Sequence, residues 1–201
     1  MQQLGVSRRE MARWIGKNRD AIRRYLSDPV QYGSKRKSSS RRPKKRNFVG
    51  GSLMIWGAFC DGKKLNLQFI TTRETSDSHQ KTLPKAIVPF FRNRRRSHIF
   101  QQGNGPIHKS NSTLAWLAAK GIKDMKWPAC SPDLNPIENL WGILARRIYN
   151  NGRQFNSVQE LKDTVQEEWD RVTSVELQNL VESMPNRVCE VIKKDGGETS
   201  H

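Results

Sequence analysis

Residues 131–141, with the sequence SPDLNPIENLW, constrain the fold of this chain more than any other segment. Pro132 and Pro136 keep the backbone extended and then favour the first turn of a helix, which Asn135 can cap. Apolar residues recur from there at helical spacing, at Ile137, Leu140, Trp141, Leu144 and Ile148. Glu138 stands in the first turn, where a carboxylate is favourable. The segment alone leaves two interpretations open for Glu138, a capping-box acid or a site residue.

A second segment lies upstream at residues 100–108, with the sequence FQQGNGPIH, which is typical of a strand that runs into a tight turn. Together the two segments resemble the motifs of the Tc/mariner superfamily of DDE transposases, which read roughly FQQDNAPxH and SPDLNPIENLW. Residues 26–33 resemble the end of the first DNA-binding module in nematode-type members of that superfamily. In the family, 34 residues separate the second and third catalytic acids. The same number of residues separates Gly103 from Glu138 here. His108 resembles the family histidine after the second acid, with a purely local hydrogen-bonding role as the alternative.

The resemblance implies a site of three carboxylates that bind two divalent ions, usually Mg²⁺, for DNA cleavage and strand transfer. Gly103 occupies the position of the second aspartate, and its missing side chain offers no oxygen to a hard cation. No acid occurs between Asp28 and Asp61, where the first aspartate would be expected, and Asp61 is explained by a hairpin turn. Glu138 is therefore predicted to be the remnant of the triad. We expect no cofactor, and Mg²⁺ would be the ion if any activity remained.

Residues 1–33 show the pattern of a helix-turn-helix module. Ser7 and Glu10 suit a capping box for a first helix, Gly16 provides the turn, and a second helix follows. Recognition helices present N-terminal side chains to the major groove of double-stranded DNA. The candidate contact residues are Lys17, Asn18, Arg19, Arg23 and Arg24, with an ordinary solvated helix face as the alternative. Only five residues precede Val6, so we expect a truncated module without the third helix of related modules.

Residues 34–46 read as a basic, low-complexity linker that cannot bury a core and is expected to be disordered. The linker suits a nuclear localisation signal, and Arg41 and Arg42 resemble a minor-groove arm. Residues 1–50 contain 15 Lys+Arg and 3 acids, which gives +12 of the formal net charge of +17. Such a charge favours a polyanionic partner. The sequence therefore predicts a nuclear protein that binds double-stranded DNA, although a solvated basic tail is the alternative.

Residues 47–201 are predicted to form an α/β domain, an incomplete RNase H-like fold that lacks its first strand. The pattern predicts strands at 53–60, 65–71, 98–102 and 123–127, and helices at 78–91, 110–120, 158–172 and 175–191 in addition to the helix that carries Glu138. The first strand pairs centrally in RNase H-like sheets, so its loss exposes the edges of two neighbours. We expect a domain of marginal stability.

The three cysteines, Cys60, Cys130 and Cys189, are widely spaced and include no CxxC pair. This spacing supports neither a disulfide framework nor a zinc site, and reduced thiols fit an intracellular protein. No apolar run approaches the length of a membrane span, and the N-terminus lacks the core of a signal peptide. No membrane partner is expected.

Three functional hypotheses are compatible with these patterns. The first is a DNA-binding protein of transposase descent that does not cut DNA and that occupies transposon inverted repeats, as a homodimer or in assembly with full-length transposase. The second is an active transposase subunit that cuts transposon ends with metal ions, using an acid not identified here or one from a partner. The third is a gene fragment without function. The first is favoured because a recognition helix is retained while two of three catalytic acids are missing.

Overall fold

The structure is a computed structural model that describes residues 53–60, 62–70, 75–92, 98–126, 128 and 131–200. In that part of the chain the strands are β1 (Met54–Trp56), β2 (Phe59–Cys60), β3 (Lys63–Lys64), β4 (Gln68–Ile70), β5 (Ile99–Phe100) and β6 (Lys123–Asp124). The helices are α1 (Ser76–Ala86), α2 (Val88–Arg92), α3 (Pro106–Lys109), α4 (Asn111–Ala119), α5 (Pro136–Ile148), α6 (Val158–Arg171), α7 (Ser174–Glu182) and α8 (Met184–Lys193). Two 3-10 turns, Pro132–Leu134 and Asn150–Gly152, flank α5.

The predicted hairpin is present, but it forms in two pieces. β1 pairs antiparallel with β4, and β2 pairs antiparallel with β3. Gly57 lies at the break, and a Cβ atom there would come within 2.9 Å of both Leu67 Cδ2 and Trp141 Cη2. The backbone therefore approaches the helices more closely than any residue with a side chain would allow. The prediction of one continuous strand over 53–60 was wrong for this reason.

Two of the predicted helices are interrupted. The helix expected over 78–91 is α1 followed by α2, with Ile87 as the C-cap of α1, and Pro89 cannot donate a helical hydrogen bond. The helix expected over 175–191 is α7 followed by α8, which meet at Ser183 with Pro185 in the first turn of α8. Proline suits a helix start because the N–H it lacks has no partner there. Pro84, by contrast, is accommodated inside α1.

A first core cluster fills the space between the hairpin and α5, α6 and α7. Its central members include Leu140, Leu144, Val165, Trp169 and Leu177, all at most 3% exposed. Trp169 stacks on Trp141 with 5.6 Å between ring centroids and donates from Nε1 to the carbonyl of Leu65 at 3.1 Å. The predicted apolar stripe of α6, at Leu161, Val165, Trp169 and Val172, is confirmed as core.

A second core cluster lies between α1, α4 and the parallel pair of β5 with β6. Leu83, Ile87 and Leu117 are at most 1% exposed at its centre. β1 separates the two clusters, because Ile55 packs on the first and Trp56 on the second, as alternate residues of a strand do. Among the described residues, β1 pairs with β4 and β5 pairs with β6, but no ladder joins β1 to β5.

Lys64, in β3, ties the hairpin to the end of α6. Its ammonium donates to the carbonyls of Trp169, Asp170 and Val172 at 2.6, 2.8 and 2.7 Å. These carbonyls lie at the C-terminal end of the helix, where the last backbone acceptors lack intrahelical partners. Burial lowers the pKa of Lys64, and the charges of Asp170 and Glu176 oppose that shift. One side chain from a distant hairpin thus caps α6.

Candidate functional site

The loop that precedes Glu138 has the structure that the sequence predicts, except at the N-cap of α5. The 3-10 turn Pro132–Leu134 leads into α5, and Pro136 takes the first helical position. Asn135 is the N-cap residue, but its side chain makes no cap hydrogen bond, so no reciprocal capping box is formed. The amide of Gln101 donates to the carbonyl of Leu134 at 3.0 Å and joins this loop to the end of β5. Glu138 itself is exposed.

Arg187, on α8, holds the same loop from the other side. It is 3% exposed and donates to the carbonyl of Asp133 at 2.9 Å, to Ser183 Oγ at 2.9 Å and to the side-chain carbonyl of Asn139. Burial lowers the pKa of its guanidinium, and the charge of Asp133 opposes that shift. Sequence reasoning missed Arg187, although an arginine beside the apolar pair Val188 and Cys189 in an amphipathic helix is a signal of a buried, paired charge.

Asp133 also anchors the C-terminal segment. Its Oδ2 atom accepts from the backbone N–H of Thr199 at 2.8 Å. Glu190 accepts from the backbone and hydroxyl of Ser200 and pairs with Lys194 at 2.7 Å. The hydrogen bond from Lys194, with those from Ser200, lowers the pKa of Glu190 to about 2. The loop before Glu138 is therefore fixed by β5, by α8 and by the segment that follows α8.

Gly103 follows β5 and faces the ring of His108. A Cβ atom on Gly103 would lie 3.5 Å from His108 Cδ2 and 3.8 Å from His108 Nε2, which are ordinary contacts. The backbone of Gly103 is not in the left-handed region. The neighbouring Asn104 donates from its side chain to the carbonyl of Pro128 at 2.8 Å. The Asn104 side chain thus ties the turn after β5 to the segment at Pro128.

His108 and His79 form an imidazole pair behind Gly103. Nδ1 of His108 lies 3.1 Å from Nε2 of His79, and the rings meet edge to face at 4.6 Å between centroids. His79 is fully buried on α1. The atoms of His108 that lie nearest to position 103 are Cδ2 and Nε2. The nitrogen that does not face His79, Nε2, is therefore on the side of Gly103, where the resemblance places the second catalytic acid.

Gly103 and Glu138 line one cleft, as the resemblance implied. The cleft has a volume of about 570 Å³ and lies between β1 and β5. Its walls include Ile55, Trp56, Phe59, Phe91, Ile99, Phe100, Ile137 and Trp141, and His108 is at its edge. Glu138 is the one Asp, Glu, Lys or Arg residue among the described lining residues.

The donor set that the described residues bring to the cleft does not fit a two-metal centre. Within the described residues, no group of three or more His, Cys, Asp or Glu side chains converges to hold a metal ion. Glu138 is one hard oxygen donor where the chemistry of Mg²⁺ calls for several.

Several predicted residues lie outside the described part of the chain. They are Lys17, Asn18, Arg19, Arg23, Arg24, Arg41, Arg42, Asp61 and Cys130. The boundaries expected at 1–33, 34–46 and 47–201 stay predictions, because two of these segments are not described. None of the helices described, at 14 residues or fewer, could cross a membrane.

Comparisons with known proteins identify the class of protein, the DDE transposases. The family model described as DDE superfamily endonuclease matches residues 19–162. A helix-turn-helix model described as Tc3 transposase matches residues 1–35. The chain belongs to the DDE transposases of the Tc1/Tc3 group.

Nematode relatives support this assignment. The chain is 40% identical over 158 residues to the Tc3 transposase of Caenorhabditis elegans, across 78% of this chain and 48% of the relative. It is 30% identical over 205 residues to the Tcb1 transposase of Caenorhabditis briggsae, across 100% of this chain and 74% of the relative. The chain thus spans about half the length of the Tc3 relative.

Solved structures establish the fold. The catalytic domain of Mos1 mariner transposase matches with a TM-score of 0.66 at 16% identity, over 98% of both chains. A structure of the same domain with raltegravir and Mg matches with a TM-score of 0.67 at 16% identity, over 97% of this chain and 99% of the other. The predicted α/β, RNase H-like fold class is therefore confirmed.

Proposed function

We propose that this protein is a DNA-binding member of the Tc1/Tc3 transposases that does not cut DNA. The observation that carries the proposal is the cleft, where Glu138 is held in place while Gly103 presents no carboxylate. Phosphodiester cleavage by two metal ions requires ligands that bind both ions and stabilise the attacking and leaving oxygens. One carboxylate cannot supply that ligand set.

Retention of DNA binding is supported by the N-terminal part of the sequence. The helix-turn-helix match covers residues 1–35 and includes Arg19 and Arg23, which we propose as the residues that contact base edges. The charge of +12 on residues 1–50 adds affinity for phosphates that does not depend on base sequence. We infer that recognition comes from this module, with Arg41 and Arg42 as a minor-groove arm.

Transposon ends are the proposed binding sites, and transposase copies are the proposed protein partners. Among the structural relatives, Mos1 has been solved as a paired-end complex with the left transposon end. A homodimer, or an assembly with full-length transposase, would place two recognition modules on two ends. A chain that binds but does not cut would then repress transposition. We place the protein in the nucleus, on the composition of residues 34–46.

The test compares binding of the purified full chain to inverted-repeat DNA and to scrambled duplex of equal length across a salt series. We expect a preference for the inverted repeat that survives near physiological salt and is lost in Arg19→Ala and Arg23→Ala. Arg171→Ala, at a well-exposed arginine of the described domain, is the matched control and leaves affinity unchanged. Equal affinity for both duplexes, falling steeply with salt, would show that only the basic linker binds.

Loss of cutting is tested separately. We expect no nicking of inverted-repeat DNA by the full chain in Mg²⁺ or Mn²⁺. Nicking that disappears in Glu138→Ala would instead support an active subunit that obtains its other acids elsewhere.

A further inference from the structure

Charge is distributed unevenly over the described domain. The described residues between 78 and 123 include six Lys or Arg and no acid, whereas residues 157–182 contain seven acids and two bases. The acid-free segment supplies the parts of α1, β5 and α4 that pack on the second core cluster, and the acidic segment supplies α6 and α7, which pack on the first. Because β1 separates the two clusters, the basic and the acidic surfaces lie on different sides of the domain.

Three exposed lysines, Lys120, Lys123 and Lys126 (the β6 lysines), lie around β6 on the basic side. Lys120 is the C-cap residue of α4, Lys123 lies in β6, and Lys126 follows that strand. Gly121, in the left-handed region at φ 67°, turns the chain from α4 directly towards β6, so the three lysines lie within residues 120–126. None of their side chains forms an ion pair with another residue of the described ranges.

Asp124, the one acid within residues 120–126, is already paired. Its Oδ2 atom accepts from Lys109 Nζ at 2.7 Å, and its Oδ1 atom accepts from the side-chain amide of Gln102 at 3.0 Å. The side chains of Lys109 and Asp124 are 27% and 15% exposed. Because this pair is neutral overall and mostly shielded from solvent, it does not offset the charge that the β6 lysines present to solvent.

The chemistry of the β6 lysines suits a DNA backbone better than a protein. Lysine is depleted in protein interfaces, whereas it is one of the side chains that contact DNA phosphates. The acidic surface of a second copy is a poor partner, because Glu160, Glu168 and Glu176 already pair with arginines of their own chain. The ammonium of lysine acts as a point charge on a flexible stem, so its contact with a phosphate does not depend on base sequence.

We propose that the β6 lysines form a second contact surface for the phosphate backbone of duplex DNA, on the described domain and separate from the N-terminal module. The inference rests on the proposed DNA-binding function, which it extends from one region of the chain to two. None of the three lysines lines the cleft of Glu138, although Met125 does. Once one region has bound a duplex, the tether raises the effective concentration of the other region at the same duplex.

Binding of the full chain to scrambled duplex DNA across a salt series tests this surface. The triple variant Lys120→Ala/Lys123→Ala/Lys126→Ala should bind at least about tenfold more weakly than the native chain at low salt. Its plot of log affinity against log salt concentration should be less steep by about 2–3, since each lost phosphate contact removes about 0.9 from the slope.

A matched triple variant removes the same charge at exposed positions elsewhere, Lys63→Ala/Arg171→Ala/Lys193→Ala. Its affinity should fall by less than about threefold, because salt screens charges that do not touch the DNA. Equal losses in the two triple variants would show that only net charge matters. No loss in the variant of the β6 lysines would leave them the role of preventing other chains from pairing with β6. Either result would overturn the proposal.

The same series separates this proposal from recognition by the N-terminal module. The ratio of affinities for inverted-repeat and scrambled duplex should stay unchanged without the β6 lysines, because phosphate contacts carry no sequence information. A native chain without preference for the inverted repeat would contradict recognition by that module, and the triple variants would then show whether the β6 lysines share the remaining binding with the linker. A native chain that binds neither duplex would overturn both proposals.

Lysine acetylation of the native chain, read by mass spectrometry with and without duplex DNA, locates the contact without any substitution. We expect DNA to slow acetylation of the β6 lysines at least threefold and to leave Lys63 and Lys193, which are also exposed, unchanged. Acetylation of the β6 lysines at the same rate with and without DNA would overturn the proposal, whether or not the triple variants fold.

Discussion

At the scale of single residues, the proposed function depends on the carboxylate that Gly103 does not supply, and the structure has room for a side chain at that position. Gly103 has ordinary contact distances to His108 and a backbone that other residues adopt. Gly57 is the contrasting case, because Leu67 and Trp141 occupy the place of its Cβ atom. Position 103 therefore has room for a side chain, whereas position 57 does not.

Gly103→Asp should therefore fold normally. We expect the free energy of unfolding to change by less than about 1 kcal/mol, as measured by denaturant unfolding. Gly57→Ala is the matched control and should lose about 1–3 kcal/mol through overpacking. We also expect no Mg²⁺-dependent nicking by Gly103→Asp, since the proposed function has no first aspartate either. Nicking by this single variant would show that another group supplies it.

Arg187→Ala should be strongly destabilising because its partners would be left buried. The carbonyl of Asp133 and the side chain of Asn139 lose a charged donor. We expect a loss of about 3 kcal/mol in the free energy of unfolding, read by denaturant unfolding. Arg146→Ala, at an exposed position of α5, should change it by less than about 0.5 kcal/mol. A comparable loss in both variants would contradict a specific role for Arg187.

At the scale of elements, the local sequence predicted the position and type of each helix and strand better than it predicted whether that helix or strand is continuous. The helix of Glu138 and the stripe of α6 follow from apolar spacing, and both are confirmed. The break at Gly57 depends on contacts with residues far along the chain, such as Trp141, and spacing carries no record of these. The Arg187 contacts join α8 to the loop before α5, so the sequence near Glu138 could not reveal them.

Helix α7 offers a test of pH dependence. Glu176 completes a capping box with Thr173 and pairs with Arg147. The hydrogen bond from the backbone N–H of Thr173 lowers the pKa of Glu176 the most. Arg147 lowers this pKa further, whereas burial raises it. A carboxyl with a lowered folded pKa stabilises the fold above its unfolded pKa near 4.5, and this contribution is lost as the pH falls through the folded value.

Glu176→Gln should weaken the dependence of the free energy of unfolding on pH. Glutamine retains the capping geometry but not the charge, so we expect a loss of about 0.5–1 kcal/mol at pH 7 and a smaller loss of stability on acidification. Thermal melting between pH 7 and pH 3 measures both quantities. Glu182→Gln, on the same helix, should keep the native pH profile. An unchanged profile in Glu176→Gln would contradict the assignment.

At the scale of the whole molecule, two core clusters meet at β1 and are not joined by a continuous sheet in the described residues. We predict that native-state hydrogen exchange separates them. Amides of α5 and α6 around Leu144 and Val165 should be protected most strongly, and those of α1 and α4 around Leu83 and Leu117 should open at lower free energy. Equal opening free energies would show that the cleft does not divide the domain. The largest opening free energy in the same experiment also tests the expectation that the domain has marginal stability.

The Lys64 cap has a consequence for how this protein is made. The ammonium and the carbonyls it binds are 105 to 108 residues apart along the chain. At roughly 5–20 residues per second, a ribosome releases the hairpin about 5 to 20 seconds before the end of α6 emerges. Throughout that interval the hairpin has neither its helical layer nor its lysine acceptors, and its strand edges are open to other nascent chains. We therefore expect the newborn protein to need chaperone shielding most in the middle of its synthesis, before α6 has been translated.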